Sequence, residues 1–153
     1  MSYDADILIW SEQQANLLRR MARGERVNGL DWENVAEEIE SVGRSELHAV
    51  ESHLIVALTH LLYLAYATDR KPIGHWATEV RAALGNARRR FGPSMAQRID
   101  LGEIWDEVGD LAFSKLQEIT AIANKVPEAC PFTLGDLLAK KPDIDALVAR
   151  ILA

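Results

Sequence analysis

Three side chains able to do chemistry recur at one interval: Glu46, His53 and His60 stand seven residues apart. At about 100° per residue, seven residues return to within about 20° of one helix face. A carboxylate and two imidazoles on one face are the donor types of a divalent-metal or acid–base site, with facing helices of a bundle supplying further groups. His75, or a carboxylate of the Glu103–Asp110 run, would complete such a site. The spacing works against it. Neighbours seven apart are separated by about 10.5 Å along the axis, whereas ligand pairs on one helix stand at i, i+3 or i, i+4. The competing reading, three separately bonded or half-exposed side chains on a large helix, is favoured. No Glu-x-x-His pair of the kind that di-iron bundles use occurs. Neither a Gly-rich phosphate loop nor a G-x-S-x-G nucleophile turn is present.

The element that must position these residues is the stretch 31–68. Asp31 is suited to cap a helix, and Asp31 and Glu33 put negative charge at its positive end. Val35, Ile39, Val42, Ala49, Val56, Leu64 and Ala67 recur at helical spacing. Gly43 interrupts the run, but the stripe keeps its phase, which favours one long helix. Leu54–Ala67 is the most apolar part. Its fourteen residues fall short of the roughly 20 that a bilayer span needs, so no membrane span is expected. Such a helix, apolar nearly all round, belongs inside a bundle or against a second subunit.

Other helices are predicted on both sides. One covers residues 3–23, capped by Asp4 or Asp6. One runs from Gly74 to Phe91, and a short one follows Ser94 as its cap. A long one covers residues 101–123. A short one over 134–139 sits behind a Thr133–Asp136 capping box, and a last one covers 143–152. The predicted fold is all-α. It is one domain over residues 1–153, a bundle of about five to six helices around a long central helix. The core is expected over about 3–139, with an extra C-terminal helix at 142–152. Trp10, Trp32, Trp76 and Trp105 lie on or beside apolar faces and read as core anchors.

Composition bounds the function. The 153 residues include one cysteine, Cys130, which excludes an intramolecular disulfide and a cysteine-based zinc cluster. With an acidic start, MSYDAD, this fits a cytoplasmic protein. The net charge of −6 argues against general nucleic-acid binding. The charge is uneven, however. Residues 31–51 hold seven acids against Arg44, and residues 70–98 hold seven bases against Glu79. Glu37, Glu38, Glu40 and Arg44 on one side, and Arg81, Arg88 and Arg89 on the other, form a candidate charge surface between segments or toward a partner. Glu40 and Arg44 are also a favourable i, i+4 pair.

Several runs together resemble the bacterial family known as domain of unknown function 29. They are Tyr3-Asp4-x-Asp6…Trp10; Asp31-x-Glu33-Asn34-x-Ala36-Glu37-Glu38-Ile39-Glu40-Ser41-x-Gly43-Arg44-Ser45-Glu46; Glu51-Ser52-x-Leu54; His60-Leu61-Leu62; Trp76; and Cys130-Pro131-x-Thr133-Leu134. The resemblance implies an all-helical, cytoplasmic bacterial protein and brings no activity with it. The Asp69–His75 turn and the helix running to Ala153 depart from the family's pattern.

The leading functional expectation is a non-enzymatic helical bundle that works by association, as a homo-oligomer or with a protein partner, with no cofactor. The alternative is a bundle that binds a divalent metal or small ligand, and could be an enzyme, through Glu46, His53 and His60. Nucleic-acid binding through Arg88–Arg90 ranks last because the chain is acidic.

Overall fold

A computed structural model describes residues 2–117 and 126–153. Among them stand six α-helices: α1 (Ile7–Ala22), α2 (Trp32–Tyr66), α3 (Ile73–Arg90), α4 (Leu101–Gln117), α5 (Leu134–Leu137) and α6 (Ile144–Leu152). A 3-10 helix, Pro93–Gln97, lies between α3 and α4. The protein is all-α around a long central helix, as its periodicity predicts. The far end of the predicted 101–123 helix, with Ile119 and Ile122, lies outside the described residues. By its internal contacts the chain divides into two compact units, Met1–Ser45 and Glu46–Ala153.

Local chemistry explains the boundaries. Asp6, not Asp4, caps α1, its Oδ1 accepting from the Ile9 N–H at 3.0 Å. Asp31 caps α2 through the Asn34 N–H at 3.3 Å. Asp100 accepts from the Gly102 and Glu103 amides at the start of α4, and Asp143 from the Ala146 amide in α6. Ser94 is not a cap. Pro93, which lacks an N–H and fixes φ, occupies the first position of the turn instead, behind Gly92.

The 35 residues of α2 run unbroken through Gly43. A Cβ added at Gly43 would meet nothing within 4 Å, so this glycine serves no close approach. Gly43→Ala is therefore expected to raise stability by about 1 kcal/mol, the helix-interior difference between the two residues. An increased melting temperature would bear this out, and a decrease would give Gly43 a role beyond the helix backbone.

In the Met1–Ser45 unit, α1 meets the start of α2 through a small polar network. Trp10 Nε1 donates to Asp31 Oδ2 at 3.2 Å, and the Asp31 amide donates to Gln14 Oε1 at 2.8 Å. Asn34 Nδ2 donates to the same carboxylate at 2.8 Å. That side-chain bond, more than the Asn34 amide or the Trp10 indole, holds the Asp31 carboxyl below its ordinary range. Trp10, Gln14 and Val35 are the buried residues of this unit among the described residues.

The Glu46–Ala153 unit has a larger core. Val50, Leu54, Ala57, Leu58, Leu61 and Leu62 of α2 are fully or nearly fully buried with Trp76, Val80 and Leu84 of α3, Ile104, Trp105 and Val108 of α4, and Ile144, Leu147 and Ile151 of α6. Trp105 Nε1 donates to the Pro127 carbonyl at 2.8 Å. By length and composition alone α2 could cross a membrane; half of its most apolar window is buried inside the protein. The buried face is only in part the one the spacing suggests: Val35, Leu64 and Ala67 are buried, but the middle of the stripe is not. Val42 and Val56 are 67% and 38% exposed, so the stripe that carries Glu46, His53 and His60 runs beside the core. Trp32 is likewise no core anchor, being 62% exposed.

The Thr133–Asp136 capping box closes in both directions. Asp136 Oδ2 accepts from the Thr133 amide at 2.7 Å, and Thr133 Oγ1 accepts from the Asp136 amide at 3.2 Å. Arg150 of α6 stands 2.9 Å from the same carboxylate. The Thr133 amide, then its hydroxyl, and then Arg150 hold the Asp136 carboxyl below its ordinary value. A carboxyl lowered by folding adds stability above its unfolded pKa of about 3.9 and loses it as pH falls through the folded value. Asp136→Asn is expected to melt below the parent at neutral pH, with the two curves converging under strong acid. Curves that stay parallel would remove the charge from the account.

Candidate functional site

The predicted metal or acid–base residues do not converge. Arg90 Nη1 holds both carboxylate oxygens of Glu46, at 3.0 and 3.2 Å. His60 Nδ1 lies 2.7 Å from the Val56 carbonyl. A carbonyl only accepts, so that nitrogen carries the hydrogen. The His60 ring packs edge-on to Tyr63 at 5.5 Å and to His75 at 6.5 Å between centroids. His53 is half-buried on the same face. Among the described residues, no group of three or more His, Cys, Asp or Glu side chains could hold a metal ion. The side chains are tolerated where they are because their stripe is half in water; none needs a buried partner.

The predicted charge surface divides. Arg44 pairs with Glu37 and, as i, i+4, with Glu40 at 3.6 Å. Glu38 accepts from the Tyr3 hydroxyl, and this bond above all raises the Tyr3 pKa. Of the 88–90 arginine triplet, Arg90 is engaged by Glu46. Arg81, Arg88 and Arg89 instead line a pocket of about 400 Å³ together with Lys140 and Lys141. The two lysines have no sequence signal beyond their role in ending a helix, because they lie some fifty residues from the arginines they join.

The second surface is apolar and lies in the Met1–Ser45 unit. Trp10, Ala15 and Leu18 of α1 and Val35, Ile39 and Val42 of α2 line an open groove of about 260 Å³. Ile39 is 68% exposed and Val42 67%. Along α2, the positions Trp32, Val35, Ile39 and Val42 follow a 3-4-3 spacing, the a/d seam of a helix that packs against another helix. On α1 the groove wall is low, since Ser11 and Ala15 are small. A ridge of apolar side chains thus faces solvent beside a channel that could take another helix.

Comparisons with known proteins agree with this architecture. The family model described as Domain of unknown function DUF29 matches residues 2–141. Among solved structures, the chain is similar to an α-helical protein of unknown function from Rhodospirillum rubrum, with 31% identity and a TM-score of 0.76; the match covers 100% of this chain and 99% of that one. No curated protein matches.

Proposed function

We propose, from the premise that this chain belongs to the DUF29 family, that it works by association, pairing with a second copy of itself through the α1–α2 groove. The observation that carries the reading is the exposed seam of Trp32, Ile39 and Val42 beside that groove. Single exposed apolar residues are ordinary, but a contiguous apolar face with a polar rim marks an interaction surface.

Size favours a second copy as the occupant. A unit of about 45 residues is near the lower limit for a self-sufficient core, and oligomerisation is a usual remedy. Here the buried set is Trp10, Gln14 and Val35, one of which is polar. The a/d spacing is that of a helix seam, and a two-fold pair would bury the same seam twice. The surrounding acids are already engaged locally, Glu37 and Glu40 by Arg44 and Glu38 by Tyr3. The groove therefore does not depend on a cationic partner for neutralisation. A cytoplasmic setting goes with this reading, since the single cysteine, Cys130, has no intramolecular disulfide to form.

Light scattering coupled to size-exclusion chromatography tests the proposal. The expected mass is about twice the 17.1 kDa of the chain. A mass of one chain at every concentration would overturn it.

A further inference from the structure

The basic pocket of the Glu46–Ala153 unit has no part in that pairing. Arg81, Arg88 and Arg89 project from α3, and Lys140 and Lys141 come from the segment between α5 and α6. Among the described residues, no acid lines the pocket. Arg81, Arg88, Lys140 and Lys141 make no ion pair or hydrogen bond among the described residues, while Arg89 donates to the neutral Asn86 amide oxygen. Arg81 and Pro142 also border an adjoining cleft that holds Asp143 and Asp145; Asp143 is occupied there as the cap of α6. Five cations thus surround one concavity on a chain whose net charge is −6. Like charges held this close repel one another, and an anion bound among them reverses the sign of the interaction. The contrast with Arg90 is informative: the same triplet supplies one arginine to a carboxylate of its own chain and two to the pocket wall.

We infer that this pocket is a binding site for a compact, multiply charged phosphoryl compound, on the juxtaposition of Arg81, Arg88 and Arg89 with Lys140 and Lys141 around about 400 Å³. Guanidinium forks match phosphate oxygens in pairs, and ammonium groups add point charge. The volume is that of a small-molecule site. Gly85 forms part of its wall, where a side chain would intrude; a Cβ there already stands 3.4 Å from Arg89 Nη1. A nucleic-acid surface is less well matched, because the lining offers no aromatic ring for base stacking and the cations form a pocket, not an extended stripe.

Titration calorimetry of the full chain with inorganic tripolyphosphate, and with orthophosphate beside it, tests the inference. Tripolyphosphate is expected to bind more tightly than orthophosphate, and added salt to weaken it. The Arg88→Gln/Arg89→Gln and Lys140→Gln/Lys141→Gln variants should each weaken it by about ten- to a hundredfold, since each removes two charge-assisted contacts. Arg19→Gln/Arg23→Gln, which removes the same charge from the other unit, should leave it unchanged. Gly85→Leu, which keeps every cation and fills the wall, should also abolish binding. Three results would overturn the inference: no heat with tripolyphosphate, equal weakening in the Arg19/Arg23 variant, or tighter binding of a single-stranded oligonucleotide or a glutamate-rich peptide. All the substituted cations are exposed, so a folding defect does not confuse the comparison.

Discussion

Ending the chain at Lys141 is expected to abolish the cooperative thermal transition of the Glu46–Ala153 unit. That truncation keeps the residues matched by the family model, which stops at 141, and removes α6. Yet Ile144, Leu147 and Ile151 belong to the same core as Leu58 and Trp76. Each fully buried aliphatic side chain contributes about 1.5–3 kcal/mol, and a domain has only about 5–15 kcal/mol in total. Three such side chains are a large part of that margin. The cut also removes Arg150 from Asp136 and the Ile151 carbonyl that accepts from the Tyr66 hydroxyl. Circular dichroism during heating reads the outcome. A pair of point variants keeps the test clean: Leu147→Asp should collapse the transition, while Leu152→Asp, at a position 56% exposed, should leave it nearly intact. A truncated chain that melts like the parent would make α6 an accessory.

Replacing Ile39 and Val42 together by glutamate is expected to leave a monomer at concentrations where the parent chain pairs. Each side chain withdrawn from an apolar seam costs about 1.5–3 kcal/mol, and an unpaired charge buried there costs more. A loss of about 3 kcal/mol weakens dissociation constants by more than a hundredfold. Both residues are about two-thirds exposed within one chain, so the monomer itself should fold as before. Sedimentation equilibrium separates these effects, with Leu8→Glu as a control. Leu8 is 65% exposed and lies outside the groove. Unchanged association in the double variant would place the seam elsewhere.

The two largest predictions rest on features of different legibility. The helices themselves were readable. Asp6, Asp31, Thr133 and Asp143 sit before apolar-periodic runs, and each caps the helix that follows. These are local effects: a short side chain meets amides two or three residues on, and no distant residue is needed. Continuity through Gly43 was favoured and not fixed by the sequence: a single glycine costs only about 1 kcal/mol against a long apolar stripe, and the structure decides for one helix. The proline-led turn at Pro93 starts two positions before the expected one, since Gly92 and not Ser94 is its cap.

What the sequence by itself determined, then, is the all-α class, the helix ends and the long central element. Which face of α2 enters the core was decided by tertiary structure. A helix apolar nearly all round offers several stripes of similar strength. The one buried, through Val50, Leu54, Ala57 and Leu61, is the one met by α3, α4 and α6. Glu46, His53 and His60 consequently lie on a neighbouring half-exposed face, and their common spacing makes no shared site. Trp32 and Ile39 stay exposed for a related reason: hydrophobicity marks a side chain as fit for burial and does not say by what. The basic pocket was equally out of reach, because charge repulsion and attraction act through space. Lys140 and Lys141 acquire their meaning only when the fold returns them to Arg81, Arg88 and Arg89.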